Sequence, residues 1–324
     1  MVHSAVIGDK PAEENQGPQM TEQLLQQMLN WITLGSIYAL IAIGFSLLFG
    51  VLNIIHFSHG DVALTAPFLA LALVQTFATA LGAAASPGAM LLSVALAIAL
   101  TGLLGVMLDA LVIQRFRNAP AMMALVATVA LGIVLRELIR HLFPNGSNPH
   151  AVPRLVQGSV ELLGVPVPAF NLVAILVSGL CVAGLFYMLD KTRLGLHIKA
   201  VSQDRDAARL HAIAPRRIFR ITFFIASAVG AIGGLFFAGY AGIVRFDFSV
   251  DVGLIGFSAA VVGGLGSMPG AIVGSLLIAG LDTLVQAVVP NGAAYRLVFV
   301  FMLVIGVLVF RPAGFLGRTV VEKV

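Results

Sequence analysis

The sequence predicts an all-α fold, a polytopic transmembrane helical bundle, and three observations carry that prediction. Of its 324 residues, 59% are hydrophobic and only 10% are charged, with a mean hydropathy of +1.00. A soluble globular domain carries about 25% charged residues. Stretches such as 62–108, 221–244 and 252–281 contain no Asp, Glu, Lys or Arg, and each exceeds the roughly 20 residues needed to cross a bilayer as a helix. The cations fall in short clusters between these stretches, which is how topology is written in loops. The formal charge of +4 therefore reads as orientation and not as a nucleic-acid surface. A transmembrane barrel would show alternating segments of about 10 residues, and these runs are far too long.

Taken in order, residues 1–23 are polar and lack a hydrophobic region, so they read as an N-terminal tail and not a signal peptide. A first helix is expected over about 24–49. It runs into GVLNIIHFSHGD (50–61), where Asn53, His56, Ser58 and His59 arrive together after a run with no charged residue. This stretch is expected to join the first two crossings, with its polar residues lining a path or fixing a broken helix. His56 and His59 could share a helix face, but two imidazoles without a third ligand make a poor metal site, so no metal is expected. Gly60 suits a turn or a close contact.

Further crossings are expected over about 60–80, 89–114, 120–141, 170–190, 217–242, 270–289 and 294–310. A shorter apolar stretch at 252–265 reads as a half-helix or re-entrant piece. Asp109 precedes the QRFRN turn and lies within reach of Arg115. Arg136, Glu137 and Arg140, near the end of the fourth run, are expected to snorkel to the outer interface, with binding of a carboxylate as the alternative. Asp282 sits among apolar residues with Thr283 and Gln286 close by, and either lines the path or makes structural hydrogen bonds. Gly263, Gly264, Gly266, Pro269 and Gly270 crowd GGLGSMPG. That stretch reads as a joint that interrupts a helix, since proline removes a donor and glycine frees φ. It lacks the Gly-Lys-Ser/Thr ending of a phosphate loop. The lone Cys181 excludes a disulfide within the chain.

The segment from Asp190 to Arg217 holds seven Lys and Arg residues and is cytoplasmic by the positive-inside rule. Counting crossings back from it puts the N-terminus outside. The terminal residues 319–324 prefer the inside, which requires the 252–289 region to cross an even number of times. Within the basic loop, QDRDAARLHAI reads as a short amphipathic helix, with Ala207, Leu210 and Ala214 on one face and Asp204, Arg205 and Arg209 on another. It suits either anionic lipid or a cytoplasmic partner. No paired carboxylates, nucleophile–base set or cofactor motif stands out, so the chain is not expected to be an enzyme.

GSIYALIAIGFSLLFG (35–50), NIIHFSHG (53–60), TRLGLHIKAVSQDRDAARLHAI (192–213), GFSAAVVGGLGSMPGAIVG (256–274) and FRPAGFLG (310–317) together resemble the permeases of the high-affinity branched-chain amino acid ABC importer family. The resemblance spans about 24–318, which it marks as the permease domain, with 190–217 as its coupling loop. It implies a multi-pass protein of the bacterial inner membrane that pairs with a second, homologous permease. Two cytoplasmic ATP-binding subunits and a periplasmic substrate-binding protein complete the expected assembly. ATP and Mg would be used in those separate subunits, with no cofactor in this one. Relatives of nearly the same pattern move urea or short-chain amides. A gradient-driven secondary transporter is the alternative of a different class. The resemblance also implies that Arg205, Asp206, Ala207, Ala208, Arg209 and Ala212 form the contact with the ATPase, with Ala212 standing where glycine is usual.

Overall fold

A computed structural model describes residues 16–81, 86–117, 119–153, 156–162 and 165–317. The parts of the two tails at 1–15 and 318–324 lie outside the described residues. Eight helices among the described residues are long and apolar enough to span a membrane, and a ninth, shorter apolar helix accompanies them. In chain order the helices are α1 (Gln16–Leu52), α2 (His59–Leu81), α3 (Pro87–Leu108), α4 (Gln114–Phe116) and α5 (Ala121–Leu142). They continue as α6 (Ala169–Lys191), α7 (Arg193–Gln203), α8 (Arg205–Leu210), α9 (Pro215–Ala241), α10 (Phe248–Gly263), α11 (Met268–Val288) and α12 (Gly292–Phe310). A π-turn, Asp109–Ile113, runs α3 into α4. α1 starts eight positions before Leu24, because its polar first turns continue the helix beyond the apolar stretch that marked it.

α1 is the central helix, packed against α11, α9, α10 and α6. Its residues Ile37 to Ile43 are almost wholly buried. α5, α6 and α12 lie outermost and present Met122, Leu180 and Val309 outward. Outward apolar side chains suit a bundle whose surroundings are hydrocarbon.

The stretch 142–169 carries strand β1 (His150–Ala151) and a hairpin of β2 (Ser159–Leu162) and β3 (Val165–Pro168). β1 pairs antiparallel with β4 (Ile243–Val244), just after α9. Gly242, at φ +72°, turns the chain out of α9 into that strand.

α10 and α11 form an antiparallel hairpin with their backbones in close approach. A Cβ on Gly263 would strike the Gly270 carbonyl, and one on Gly274 would strike that of Ala259. GGLGSMPG is thus the turn between two helices and not an interruption within one. Gly264 and Gly266 take φ of +108° and +83°, Ser267 caps α11 through the Gly270 N–H, and Pro269 occupies its first turn, where no intrahelical N–H is needed. The hairpin returns the chain to the side it left, so α12 ends beside the α10 terminus. There Phe315 and Leu316 donate N–H groups to the carbonyls of Val262 and Gly263, both at 2.9 Å or less. RPAGFLG therefore closes the open end of α10.

Gly60 is pressed against Gly253 of α10, where an added Cβ would fall against the backbone of Gly253 and Ser249. Gly60→Leu is expected to destabilise the fold by the few kcal/mol typical of overpacking. The check is the thermal unfolding midpoint of the purified protein in detergent, and an unchanged midpoint would show that α2 and α10 do not need this approach.

Candidate functional site: an unwound segment and a coupling tip

Between α1 and α2 the chain is not helical over 53–58 apart from a turn at Phe57 and Ser58. Asn53 begins it at φ +57°, a conformation asparagine tolerates better than most residues. The sequence leaves open whether this segment lies at the membrane face, and in the structure it runs from the end of α1 back into the bundle. The His56 ring stands edge-on to Phe223, 5.4 Å between centroids, and His59 abuts Gly230. At 1.5 Å per residue these points lie about 12 and 22 Å along α9 from Pro215. The chain thus doubles back beside α1 before α2 begins.

Its backbone is held by α5. The Phe57 N–H donates to Thr128 Oγ1 at 3.2 Å, and that hydroxyl also lies 3.4 Å from the Ile55 carbonyl oxygen and 2.9 Å from that of Leu125. Non-helical backbone in the membrane persists only where protein or water satisfies it, and Thr128 serves that need here.

The polar residues of this segment have different surroundings. Asn53 is exposed, whereas His56, Ser58 and His59 are buried. Ser58 Oγ lies 3.4 Å from His56 Nε2. His59 is fully enclosed, edge-on to Phe45 at 4.8 Å. It fills a slot made by Gly44 of α1 and Gly230 of α9, since a Cβ on either glycine would strike its ring. Its two nitrogens have no hydrogen-bond partner among the described residues. The two imidazoles therefore sit against different aromatic neighbours.

Asp61, two residues into α2, is the feature the sequence reading passed over. Its Oδ1 lies 3.5 Å from Arg136 Nε of α5, and Gly132 leaves room for the carboxylate, because a Cβ there would strike Oδ2. Arg136 therefore turns inward to Asp61 instead of snorkelling outward. Its neighbours Arg140 and Glu137 pair with each other at 3.6 Å. The sequence offered an acid at the start of one apolar run and two cations, Arg136 and Arg140, late in another, with nothing to choose between them.

Asp282 is buried and accepts from Tyr38 Oη at 2.9 Å and Gln286 Nε2 at 2.7 Å. Of the two readings left open, this geometry is structural hydrogen bonding between α1 and α11. Thr283 bonds back to the Ala279 carbonyl of its own helix.

At the other end lies the basic loop. Asp204 caps α8 by accepting from the N–H groups of Asp206 and Ala207 at 2.8 and 2.9 Å. These two bonds, that from Ala207 foremost, hold its carboxyl below the usual aspartate range. Arg205 Nη2 donates to the Leu52 carbonyl at 2.6 Å, the last residue of α1, and its guanidinium lies 5.2 Å from the Phe219 ring. Arg117, at 4.3 Å from that ring, lies over it as well. Arg117, and not Arg115, is the partner of the buried Asp109. Burial, then the nearby Arg117 and Arg209, pull the Arg205 guanidinium down from its ordinary value.

Asp206 and Arg209 pair at 2.8 Å on the exposed surface. The apolar side of the loop is turned outward, open to lipid or a partner: Ala207, Leu210 and Ala214 are exposed, and Leu210 is 89% so. Ala208 is the residue that packs inward. α8 is too short for the helix-wide stripe the spacing suggested. It ends with the Ile213 N–H on the Ala208 carbonyl and the Ala212 N–H on that of Arg209, both at 3.0 Å. That is a Schellman closure, and Ala212 takes the left-handed position at φ +57°.

Comparison with known proteins follows this geometry. The family model described as "Branched-chain amino acid transport system / permease component" matches residues 27–308. The chain is 31% identical over 305 residues to the high-affinity branched-chain amino acid transport system permease protein BraD of Pseudomonas aeruginosa, covering 93% of this chain and 98% of that one. It is 30% identical over 315 residues to LivH, of the same description, from Escherichia coli K12, covering 94% and 100%. A xylose transport system permease protein, XylH of Haemophilus influenzae, is 30% identical over 138 residues, 40% of this chain and 35% of that one.

Alanine in a left-handed position carries a penalty of about 1 kcal/mol that glycine does not. Ala212→Gly is expected to slow amide exchange at Ile213 about fivefold, read by hydrogen–deuterium exchange. Faster exchange at that amide would contradict the Schellman closure.

Proposed function

The chain belongs to the family of branched-chain amino acid transport system permease components, and on that footing we propose that it carries leucine, isoleucine and valine inward beside a second, homologous permease. In the coarser terms the family fixes, it is a multi-pass membrane permease of an ABC importer for small solutes, working with ATPase subunits and a binding protein. It is a transport subunit and not a catalytic one.

The observation that carries the amino-acid reading is similarity along the whole chain to permeases described as branched-chain amino acid carriers, against a partial match to the xylose permease. The apolar lining expected for such cargo agrees with a chain this poor in polar side chains. Equilibrium binding of leucine, isoleucine, valine, urea and acetamide to the cognate binding protein tests it. Selective binding of the three amino acids is expected, and binding of urea or acetamide alone would overturn the reading.

For coupling, α8 is read as the segment that meets the ATPase. Two groups divide the work. Asp206, Arg209 and Leu210 are exposed and free to meet a partner, while Arg205 is turned back to α1 and ties the tip to the bundle. The unwound segment begins one residue beyond Leu52, so a displacement of α8 acts where the helix ends. An ATP-driven reading requires this tip; an ion-gradient carrier does not.

Leu210→Glu is expected to abolish co-purification of the ATPase subunits while the permease keeps its melting midpoint. Arg205→Ala should leave the ATPase bound yet lower hydrolysis stimulated by the loaded binding protein severalfold. Leucine transport into liposomes by this chain alone, driven by a proton or sodium gradient, would sink the ABC assignment.

A further inference from the structure

The Asp61–Arg136 pair differs from the other ion pair with a buried aspartate, Asp109–Arg117. The Asp109–Arg117 pair is sealed, with Asp109 side chain 1% exposed, whereas Arg136 and Asp61 retain 21% and 11% exposure. The 3.5 Å separation is longer than the 2.7–2.9 Å of a strong charge-assisted hydrogen bond. Asp61 Oδ1 is enclosed and has no hydrogen-bond partner among the described residues. The pair is therefore under-satisfied and open on one side.

Its position adds to this. Arg136 lies about 22 Å along α5 from Ala121, one turn beyond Gly132, which meets Asp61 and Ser58 at the end of the unwound segment. Partly exposed charges at this depth are costly against hydrocarbon, so the open side of this surface faces something other than lipid chains. Beside it runs one face of α10, where Ser249, Gly253 and Phe257 recur at helical spacing. Gly253 meets Gly60, and Phe257 lies 4.8 Å from the ring of Phe57. A cation, an anion and a half-buried aromatic surface thus border the unwound segment together.

We propose that Asp61 and Arg136 form a transit site for a zwitterionic α-amino acid, and this rests on the amino-acid cargo argued above. Arg136 receives the carboxylate and Asp61 the ammonium group, each exchanging its present loose partner for a close one. The apolar side chain lies over Phe57 and Phe257. The exchange conserves charge, so entry of the zwitterion leaves no isolated ion in the membrane. Arginine suits the role because its planar fork matches a carboxylate, and Gly132 keeps the space in front of Asp61 clear.

The test is leucine uptake and ATP hydrolysis by proteoliposomes holding this chain with its partner permease, ATPase subunits and loaded binding protein. Asp61→Asn and Arg136→Gln are each expected to lower uptake at least tenfold and to raise the ATP hydrolysed per leucine moved. The decisive variant is the neutral double, Asp61→Asn with Arg136→Gln, which leaves no lone charge. It is expected to co-purify with all subunits and to remain as defective as the singles. Recovery of wild-type uptake in the double would reduce the pair to architecture and overturn the proposal. Should the double not assemble, Arg136→Lys decides: it keeps the ion pair but loses the planar fork, so uptake about fivefold or more below wild type is expected in an assembled complex, and wild-type uptake overturns the proposal. A wild-type complex that moves urea or acetamide and no leucine overturns the cargo reading itself, whatever the variants do.

Discussion

Every backbone N–H and C=O inside hydrocarbon needs a partner, and the segment at 53–58 is where this chain meets that demand without a helix. The rest of the bundle is arranged around the solution. α5 supplies Thr128, whose hydroxyl accepts from the Phe57 N–H while donating to the Leu125 carbonyl of its own helix. α9 and α1 supply Gly230 and Gly44, which open a slot for His59 and so set the point at which α2 starts. α10 comes close enough to touch Gly60 because it too has glycine, Gly253, at the crossing. None of these contacts is strong alone. Together they surround a stretch of chain that could not otherwise stay in the membrane.

The cytoplasmic end obeys the same rule with different parts. α1 ends in open carbonyls, as every helix does, and Arg205 takes that of Leu52. α10 ends likewise, and the backbone of Phe315 and Leu316 takes those of Val262 and Gly263. The coupling loop and the C-terminal RPAGFLG stretch are thus both caps, each bonded to a helix that borders the unwound segment. Phe219 lies between Arg205 and Arg117, and Arg117 holds the buried Asp109 at the π-turn of α3. One aromatic ring of α9 therefore links the coupling loop to the third crossing, while Leu52 links it to the first.

Much of this was legible beforehand, for reasons that differ by element. The crossings followed from uninterrupted apolar runs, because a lipid-facing helix must be apolar over its full length. The 252–289 region folds as the α10–α11 hairpin, a shorter apolar helix followed by a membrane-length one. What the sequence could not deliver was depth. GVLNIIHFSHGD reads equally as a surfacing loop and as an unwound segment, since both need polar residues and relief from helix. Nor could it separate Arg136 from Arg140: both are cations near the end of one run, and only the arrival of α2 beside Gly132 tells them apart. α8 is a related case. Six residues make less than two turns, and the exposed Leu210 leaves its apolar side open, as either an interfacial or a docking helix requires.

Two buried aspartates show how satisfaction distinguishes structure from function. Asp282 is 1% exposed and has both oxygens engaged, by Tyr38 and by Gln286, each within 2.9 Å. A ligand could reach it only by breaking contacts that hold α1 to α11. Asp61 has one long ionic contact, an oxygen without a hydrogen bond, and an open side. A fully satisfied polar network rigidifies, while a partly satisfied one leaves free energy available to whatever completes it. Asp61 closes a polar cluster and Asp282 stands alone in an apolar run, and burial alone would not separate them. The count of partners does, and it assigns Asp282 to the frame of the permease and Asp61 to the surface on which its cargo moves.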